Sequence, residues 1–467
     1  MTTGQTSTTG AKFRRVANPI PNRYVVVFAT TNFDPIVETT TPAPAPTAQT
    51  VSPSALSETS SNADAEAVAS GDDAFVASNL QASQAATVGS TTTVGSTTTA
   101  TAVPADDPQV VATADALTQT YGGTRQQTWG AALKGFLLNA NEATAVAMSG
   151  DSRVAFVEED GTVSVDPVGT PDNDPIVMTD PYNGSGPQLN APWGLDRIDQ
   201  RLLPLSRNYT STGTGLGVNA YVIDTGIYPS HADFRGRAFA SYDALGENGI
   251  DCNGHGTHVA GIIGSSTFGV AKNVRLLGVR VLGCSGSGSW SNVINGINWV
   301  TWHRQQPEQR NSPAVANISL GGGGDSSVDV AVRNSIRANV TYVVAAGNAN
   351  ADARLYSPGR LPEAITVAAT DMTDHRGSFS NWGLAVDLLA PGVQIPSTWI
   401  GGELMMRSLS GTSMASPHAA GVAAIYLQSR RSASPAAVRS ALVNASTNGL
   451  INDVGEQTPN RLLFAGN

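Results

Sequence analysis

The sequence predicts an α/β protein: a large domain with a parallel sheet flanked by helices, preceded by a small α+β domain. Three observations carry this. From Ala191 onward, short apolar runs alternate with stretches of helical periodicity, the pattern of a parallel sheet covered on both faces. A late helix, 414–428, is apolar on every side and rich in Ala and Gly, as suits a helix at the centre of a domain. Before Ala191, shorter strand and helix patterns are split by a long Thr/Ala/Ser/Pro tract.

The elements follow in order. Residues 1–18 read as a polar tail, and 19–165 as the small domain. Its strands are 24–28, 133–139 and 154–158, and its helices 114–121 and 141–149. Residues 38–107 interrupt it. VGSTTT occurs there twice in tandem, and no Lys or Arg stands between Arg23 and Arg125. Such a tract buries too little apolar surface to offset its ordering entropy, so a disordered insertion is expected. Residues 166–190, rich in Pro, Gly, Asp and Asn, read as an exposed linker. In 191–467 the strand runs are 218–223, 274–282, 315–320, 340–346 and 364–369. The helical patterns between them are 255–263, 289–304 and 326–338, the last with Val328, Val332 and Ile336 at helical spacing.

Composition excludes several functions. The net charge is −10 and no basic cluster appears, which argues against nucleic acid and anionic membrane surfaces as partners. No apolar run approaches the roughly 18 residues of a membrane span. No apolar stretch before Val25 resembles an export signal. The two cysteines, Cys252 and Cys284, permit one disulfide or two free thiols.

Three residues suggest chemistry. Ser413, in GTSMASPH, opens the apolar helix, where free N–H groups and a partial positive charge could hold an oxyanion. A lone serine there is more often a plain helix cap. A serine nucleophile needs a base, and His255 in NGHGTHVAG is the candidate. His258, three residues on, raises a zinc alternative, but no Glu follows the first histidine and no third ligand is evident. Asp224 ends an apolar strand in YVIDTGI, where sites of parallel sheets gather, and could orient the imidazole.

Together the motifs, in chain order Asp, His, Ser, resemble the subtilases. Residues 191–467 resemble the proteinase K branch, its aqualysin-like members above all. The matching stretches include APWGLDRIDQ, YVIDTGI, DCNGHGTHVAG, GVRVLGCSGSGS, ISLGGG, AAGNANADAR, SFSNWG and GTSMASPH. YVVVF, LKGFLLNA and RVAFVEEDGTV resemble the family's propeptide; the insertion has no counterpart. The resemblance implies a serine endopeptidase with Ser413 as nucleophile, His255 as base, Asp224 as its orienter and Asn348 as oxyanion donor. It implies that Gly286, Ser287 and Gly288, with Ser319, Leu320 and Gly321, clasp an extended peptide. Ala345, Ala346 and Gly347 would line a small, uncharged specificity pocket, favouring apolar or aromatic residues and broad cleavage.

It further implies a Cys252–Cys284 disulfide, worth roughly 3–4 kcal/mol on an entropic account, and with it export to an oxidising compartment. The relatives' second disulfide is missing, since Arg354 and Ala385 stand there. No catalytic cofactor is implied, but structural calcium is. One site would use Asp387 with the carbonyls of Pro362 and Ala364. A second would use Asp196, Asp199, Gln200 and Asn208, weakened by Ser206 in place of a carboxylate. The expected protein is a secreted monomer acting on proteins and peptides. Its own N-terminal domain would serve as chaperone and inhibitor, removed by a cut between 166 and 190. Two other readings stand beside it: a permanently inhibited binding module and an intracellular subtilase.

Overall fold

In the computed structural model, residues 12–29, 104–165, 176–178, 182 and 186–466 are described. Most of the insertion 38–107, much of the linker and most of the 1–18 tail lie outside them. The parts of these three stretches that are described correct the expectation. Phe13–Arg14 is a short strand running parallel to Val157 and Glu158. Asp107 belongs to the fold, because its side chain accepts from the amides of Gln109 and Val110 at a helix start. Ile176–Val177 pairs with Met405 and Met406, and the Gln188 side chain is buried.

The N-terminal part has two helices on a sheet of four antiparallel strands, to which Phe13–Arg14 adds as a fifth, parallel strand. Its elements are β1 (Pro19–Phe28), α1 (Pro108–Tyr121), β2 (Thr124–Trp129), β3 (Gly135–Asn139), α2 (Glu142–Ser149) and β4 (Val154–Ser164), in the order β4-β1-β3-β2. Strand alternation gives the sheet two apolar faces. Tyr24, Val26, Phe28 and Val157 pack under α1 and α2 with Leu117 and Met148. Val25, Val27, Leu137 and Phe156 turn the other way and join Trp290, Val293 and Ile297 of the large domain in one core.

The large domain has a nine-stranded sheet. In chain order its elements are β5 (Asn219–Asp224), β6 (Ala238–Asp243), α3 (His255–Gly264), β7 (Arg275–Arg280), β8 (Ser287–Ser289), α4 (Trp290–Gln305), β9 (Ala314–Ile318), α5 (Ser326–Arg337), β10 (Thr341–Ala345), β11 (Ile365–Thr370), β12 (Leu388–Pro391), α6 (Thr412–Ser429), α7 (Pro435–Ala445), β13 (Thr447–Asn448) and β14 (Arg461–Leu462). All but β8 and the helices lie in the sheet, in the order β6-β7-β5-β9-β10-β11-β12-β14-β13; only the β13–β14 pairing is antiparallel. The central strands are buried along their whole length, so they read as continuous apolar runs rather than alternating ones. Helix α6 is buried nearly all round. Its Gly421 lets it approach α3 and the loop after it, since a Cβ there would meet Val270 Cβ at 2.5 Å. Among the described residues no helix is long and apolar enough to cross a membrane.

Two helices of the large domain are capped from the N-terminal sheet. Glu158 accepts from the Ser326 and Ser327 amides at 3.0 and 2.7 Å at the start of α5. Asp160 accepts from the Ser291 amide at 3.0 Å and its hydroxyl at 2.8 Å at the start of α4. Acidic groups at helix starts satisfy orphan N–H groups and the positive end of the helix dipole. β4 then continues into the large domain, where it pairs antiparallel with β8.

Candidate active site

Asp224 closes β5 at the centre of the sheet, fully buried. Its Oδ1 accepts from the Thr225 amide at 2.7 Å and stands 2.8 Å from His255 Nδ1. With the carboxylate accepting, Nδ1 carries the proton and Nε2 is left as the basic nitrogen. His255 opens α3, and its Nε2 is buried with no hydrogen-bond partner among the described residues. The neighbouring His258 takes no part. Its Nε2 donates to the carbonyls of Ile395 and Arg407, and burial pushes its pKa down to about 3. Among the described residues no group of three or more His, Cys, Asp or Glu side chains is placed to hold a metal ion, so the zinc alternative finds no third ligand.

Ser413 stands in the first turn of α6, nearly buried. Its hydroxyl donates to the Ser319 carbonyl at 3.1 Å, and the Ser319 hydroxyl donates to the Ser413 carbonyl at 2.9 Å. Asn317 Nδ2 donates to Ser319 Oγ at 2.8 Å, and Ser416 Oγ to Asn317 Oδ1 at 2.7 Å. These bonds fasten the start of α6 to the end of β9. Ser416 stands inside the GTSMASPH motif and Asn317 directly before ISLGGG, but no spacing in the sequence pairs them, so motifs alone do not show their bond.

Asn348 follows β10. Its Oδ1 accepts from the Thr412 amide and hydroxyl, both at 2.9 Å, which fixes the plane of its amide. Asn348 Nδ2 and Ser413 N lie 3.5 and 3.6 Å from the point where a Cβ on Gly411 would sit. Both donors thus stand on the same side of Gly411, next to the serine.

The two predicted clasp segments hold a strand. Ser164, at the end of β4, pairs with Ser287 on one side and bridges Gly321 on the other. The Gly321 amide donates to the Ser164 carbonyl at 3.4 Å, and the Val165 amide to the Gly286 carbonyl at 3.0 Å. The chain's own N-terminal sheet therefore runs its last strand between Gly286–Gly288 and Ser319–Gly321. Ala345 and Ala346 end β10 and are buried, and Gly347 has φ +98°, with Asn381 Nδ2 only 2.4 Å from where its Cβ would be.

Cys252 and Cys284 form a disulfide. It joins the loop before His255 to the loop before β8.

The two calcium sets differ in how their acids are engaged. Asp387 has both oxygens occupied: Oδ1 by the Arg439 guanidinium and Oδ2 by the Thr366 amide. A cation is already in place there, so Asp387, Pro362 and Ala364 do not fit calcium as they stand. In the second set, buried Asp196 accepts from the Ser206 amide and hydroxyl and from the Arg207 amide. Gln200 Oε1 accepts from the Ser206 amide, and Asn208 begins the short strand Asn208–Tyr209. Burial, with the Asp196 charge adding to it, pushes the Asp199 carboxyl up to about 6. Among the described residues neither acid is paired with a basic side chain, although Asp196 has both oxygens taken by neutral amide and hydroxyl donors and Asp199 Oδ2 by the Thr210 amide; oxygen ligands are what a hard cation uses.

Comparison with known proteins identifies the family. The model described as "Subtilase family" matches residues 215–466. The chain belongs to the subtilase family of serine endopeptidases. It is 48% identical over 345 residues to the "Extracellular serine proteinase" of Thermus sp. (strain Rt41A), covering 73% of this chain and 78% of that one. It is 45% identical over 353 residues to the "Alkaline serine exoprotease A" of Vibrio alginolyticus, covering 75% of this chain and 62% of that protein's length. A solved structure, "Crystal structure of a cold adapted subtilisin-like serine proteinase", is 50% identical, with TM-score 0.55 over 59% of this chain and 98% of that one.

Proposed function

We propose that this chain is the proenzyme of a secreted, broad-specificity serine endopeptidase that matures by cutting off its own N-terminal domain. In this reading 19–165 is the inhibitory propeptide, 166–190 holds the cut and 191–467 is the peptidase. The observation that carries it is the strand end Thr162–Val165 held between Gly286–Ser289 and Gly321, the latter two residues along from Ser319, which bonds Ser413. Main-chain pairing of this kind gives affinity with little sequence preference. The small pocket residues Ala345, Ala346 and Gly347 favour apolar or aromatic side chains.

The mechanism of this reading requires the Ser413 hydroxyl to turn from the Ser319 carbonyl, to which it donates in the structure, toward His255 Nε2, which has no hydrogen-bond partner among the described residues. His255 Nε2 takes the Ser413 hydroxyl proton as Oγ bonds to the scissile carbonyl carbon. The electron pair moves to the carbonyl oxygen, met by the Ser413 N–H and Asn348 Nδ2. Asp224 holds His255 in the tautomer that can accept. The imidazolium then protonates the leaving amine, the C–N bond breaks and an acyl-serine remains. Water, deprotonated by His255, attacks the acyl carbon and frees Ser413. No cofactor enters these steps.

The disulfide and the extracellular relative support export. Calcium, if bound at Asp196, Asp199, Gln200 and Asn208, would neutralise two crowded acids and stiffen that corner. Calcium is expected to raise the thermal midpoint by a few degrees, and Asp199→Asn to abolish the rise; an equal rise in both rejects this site.

The main test is the intact mass of the purified chain over time, beside Ser413→Ala. The wild type should shorten to a product beginning between 167 and 191 while the variant stays whole. If both stay whole, self-processing is wrong, and the permanently inhibited module takes its place.

A further inference from the structure

A third carboxylate lies beside the Asp224–His255 pair. Asp251 is 5% exposed and precedes the disulfide cysteine Cys252. Its Oδ1 accepts from the Thr225 hydroxyl and from the amides of Asn253 and Gly254, all at 2.9 Å. Its Oδ2 accepts from the Thr257 amide at 2.9 Å and the Thr257 hydroxyl at 2.6 Å. Five donors converge on one buried acid. A helix cap would account for the bonds to 253, 254 and 257. It does not account for the bond to Thr225, which reaches across to the end of another element.

That bond closes a bridge. Thr225 follows Asp224, and its amide donates to the Asp224 carboxylate. The Thr225 hydroxyl accepts from the amide of Gly256, which follows His255, at 2.9 Å, and donates to Asp251. The chain neighbours of Asp224 and His255 are thus bonded to each other, and Asp251 grips both sides. The backbone is shaped for this approach. A Cβ on Gly256 would lie 2.2 Å from the Gly226 carbonyl, and one on Gly226, at φ +112°, 2.9 Å from the Asp251 amide.

We infer that Asp251, acting through Thr225, is a positioning residue that sets the distance and angle between Asp224 and His255. The inference rests on the proposed peptidase mechanism. Reaction geometry is sensitive to such settings, since a misplacement of roughly 1 Å can cost about 100-fold in rate. Asparagine cannot replace Asp251, because its Nδ2 would face donors with another donor.

The test compares full chains of wild type, Asp251→Asn, Thr225→Val and Thr225→Ser. Each is processed in trans by a trace of tagged wild-type enzyme that is then removed. Turnover is measured on a peptide anilide with an apolar residue before the scissile bond. Asp251→Asn should lower kcat about 10- to 100-fold with KM changed less than about twofold. Thr225→Val should show the same split with a smaller loss, and Thr225→Ser should restore kcat. A purely structural role would instead lower the thermal midpoint or the active fraction, at unchanged kcat per titrated Ser413. Wild-type kcat in a folded Asp251→Asn overturns the inference. Should Asp251→Asn not fold, unchanged kcat in Thr225→Val overturns it equally. A processed wild type that fails to cleave the anilide removes the proposed function, and the inference with it.

Discussion

Two of the molecule's clusters of buried acids are built by opposite means. At the Asp224–His255 pair, donors converge on each acid: a backbone amide and an imidazole on Asp224, five N–H and O–H groups on Asp251. Where the N-terminal sheet meets α5, acids meet acids. Glu158 of β4 packs against Asp325, the cap of α5, with Asp329 one turn on. Burial, and then the neighbouring Glu158, pushes the Asp325 carboxyl well above the usual range, and burial pushes Glu158 and Asp329 up as well. Asp325 Oδ2 and Asp329 Oδ1 are buried without hydrogen-bond partners among the described residues, and so in the first cluster are Asp224 Oδ2 and His255 Nε2, while both carboxylate oxygens of Asp251 are satisfied. A buried polar group is inexpensive when satisfied and costly when not. The fully satisfied Asp251 is suited to permanence. The crowded acids of the second cluster suit a contact that is released, as the proposed maturation requires.

The sharpest way to break the first cluster is Asp224→Asn. The amide can turn its Nδ2 toward His255, which then presents the wrong tautomer to Ser413. The change keeps size and hydrogen-bonding reach, so the fold should survive. We expect kcat to fall about 10⁴-fold with little change in KM, the loss typical of this substitution in a Ser-His-Asp triad. A loss under about tenfold would mean that the donors around Asp224, and not its charge, set the reactivity.

The two clusters were unequally legible in the sequence. Asp224, His255 and Ser413 stand in short motifs whose local chemistry can be read directly. The helical spacing of Val328, Val332 and Ile336 placed α5 within a residue of its observed end. The strand Thr124–Trp129 went unread because TRQQTW has no apolar alternation; it lies at the edge of its sheet with most side chains partly exposed. The strand Val154–Ser164 runs six residues past its predicted end, because its second half is held by a partner far away in the chain. The same distance hides the caps. Glu158 and Asp160 lie 168 and 131 residues from the amides they satisfy at Ser326 and Ser291, so no local pattern joins them. Asp251 stands inside a motif that was recognised, yet its bond to Thr225 exists only once two loops are folded together.

The smallest expected effect tests the second cluster. Glu158 faces Arg14 from the adjacent short strand, Asp325 and Asp329 from α5, and Arg360, which pairs with Asp329 at 2.6 Å. With Glu158 and Asp325 both raised, the docked state holds protons that the undocked state gives up. Docking is then tightest below the ordinary carboxylate range. It weakens as pH rises through that range toward the raised values. In full-length Ser413→Ala, amide-exchange protection of residues 154–165, corrected for intrinsic rates, should fall as pH rises from about 5 to 8. The fall should be about tenfold. Glu158→Gln removes one of the two acids and keeps an acceptor for only one of the Ser326 and Ser327 amides. Its protection should start lower at acid pH and change little with pH. Equal slopes in the two chains would show that crowding of these acids does not govern the contact, and the contrast with the Asp251 cluster would then rest on geometry alone.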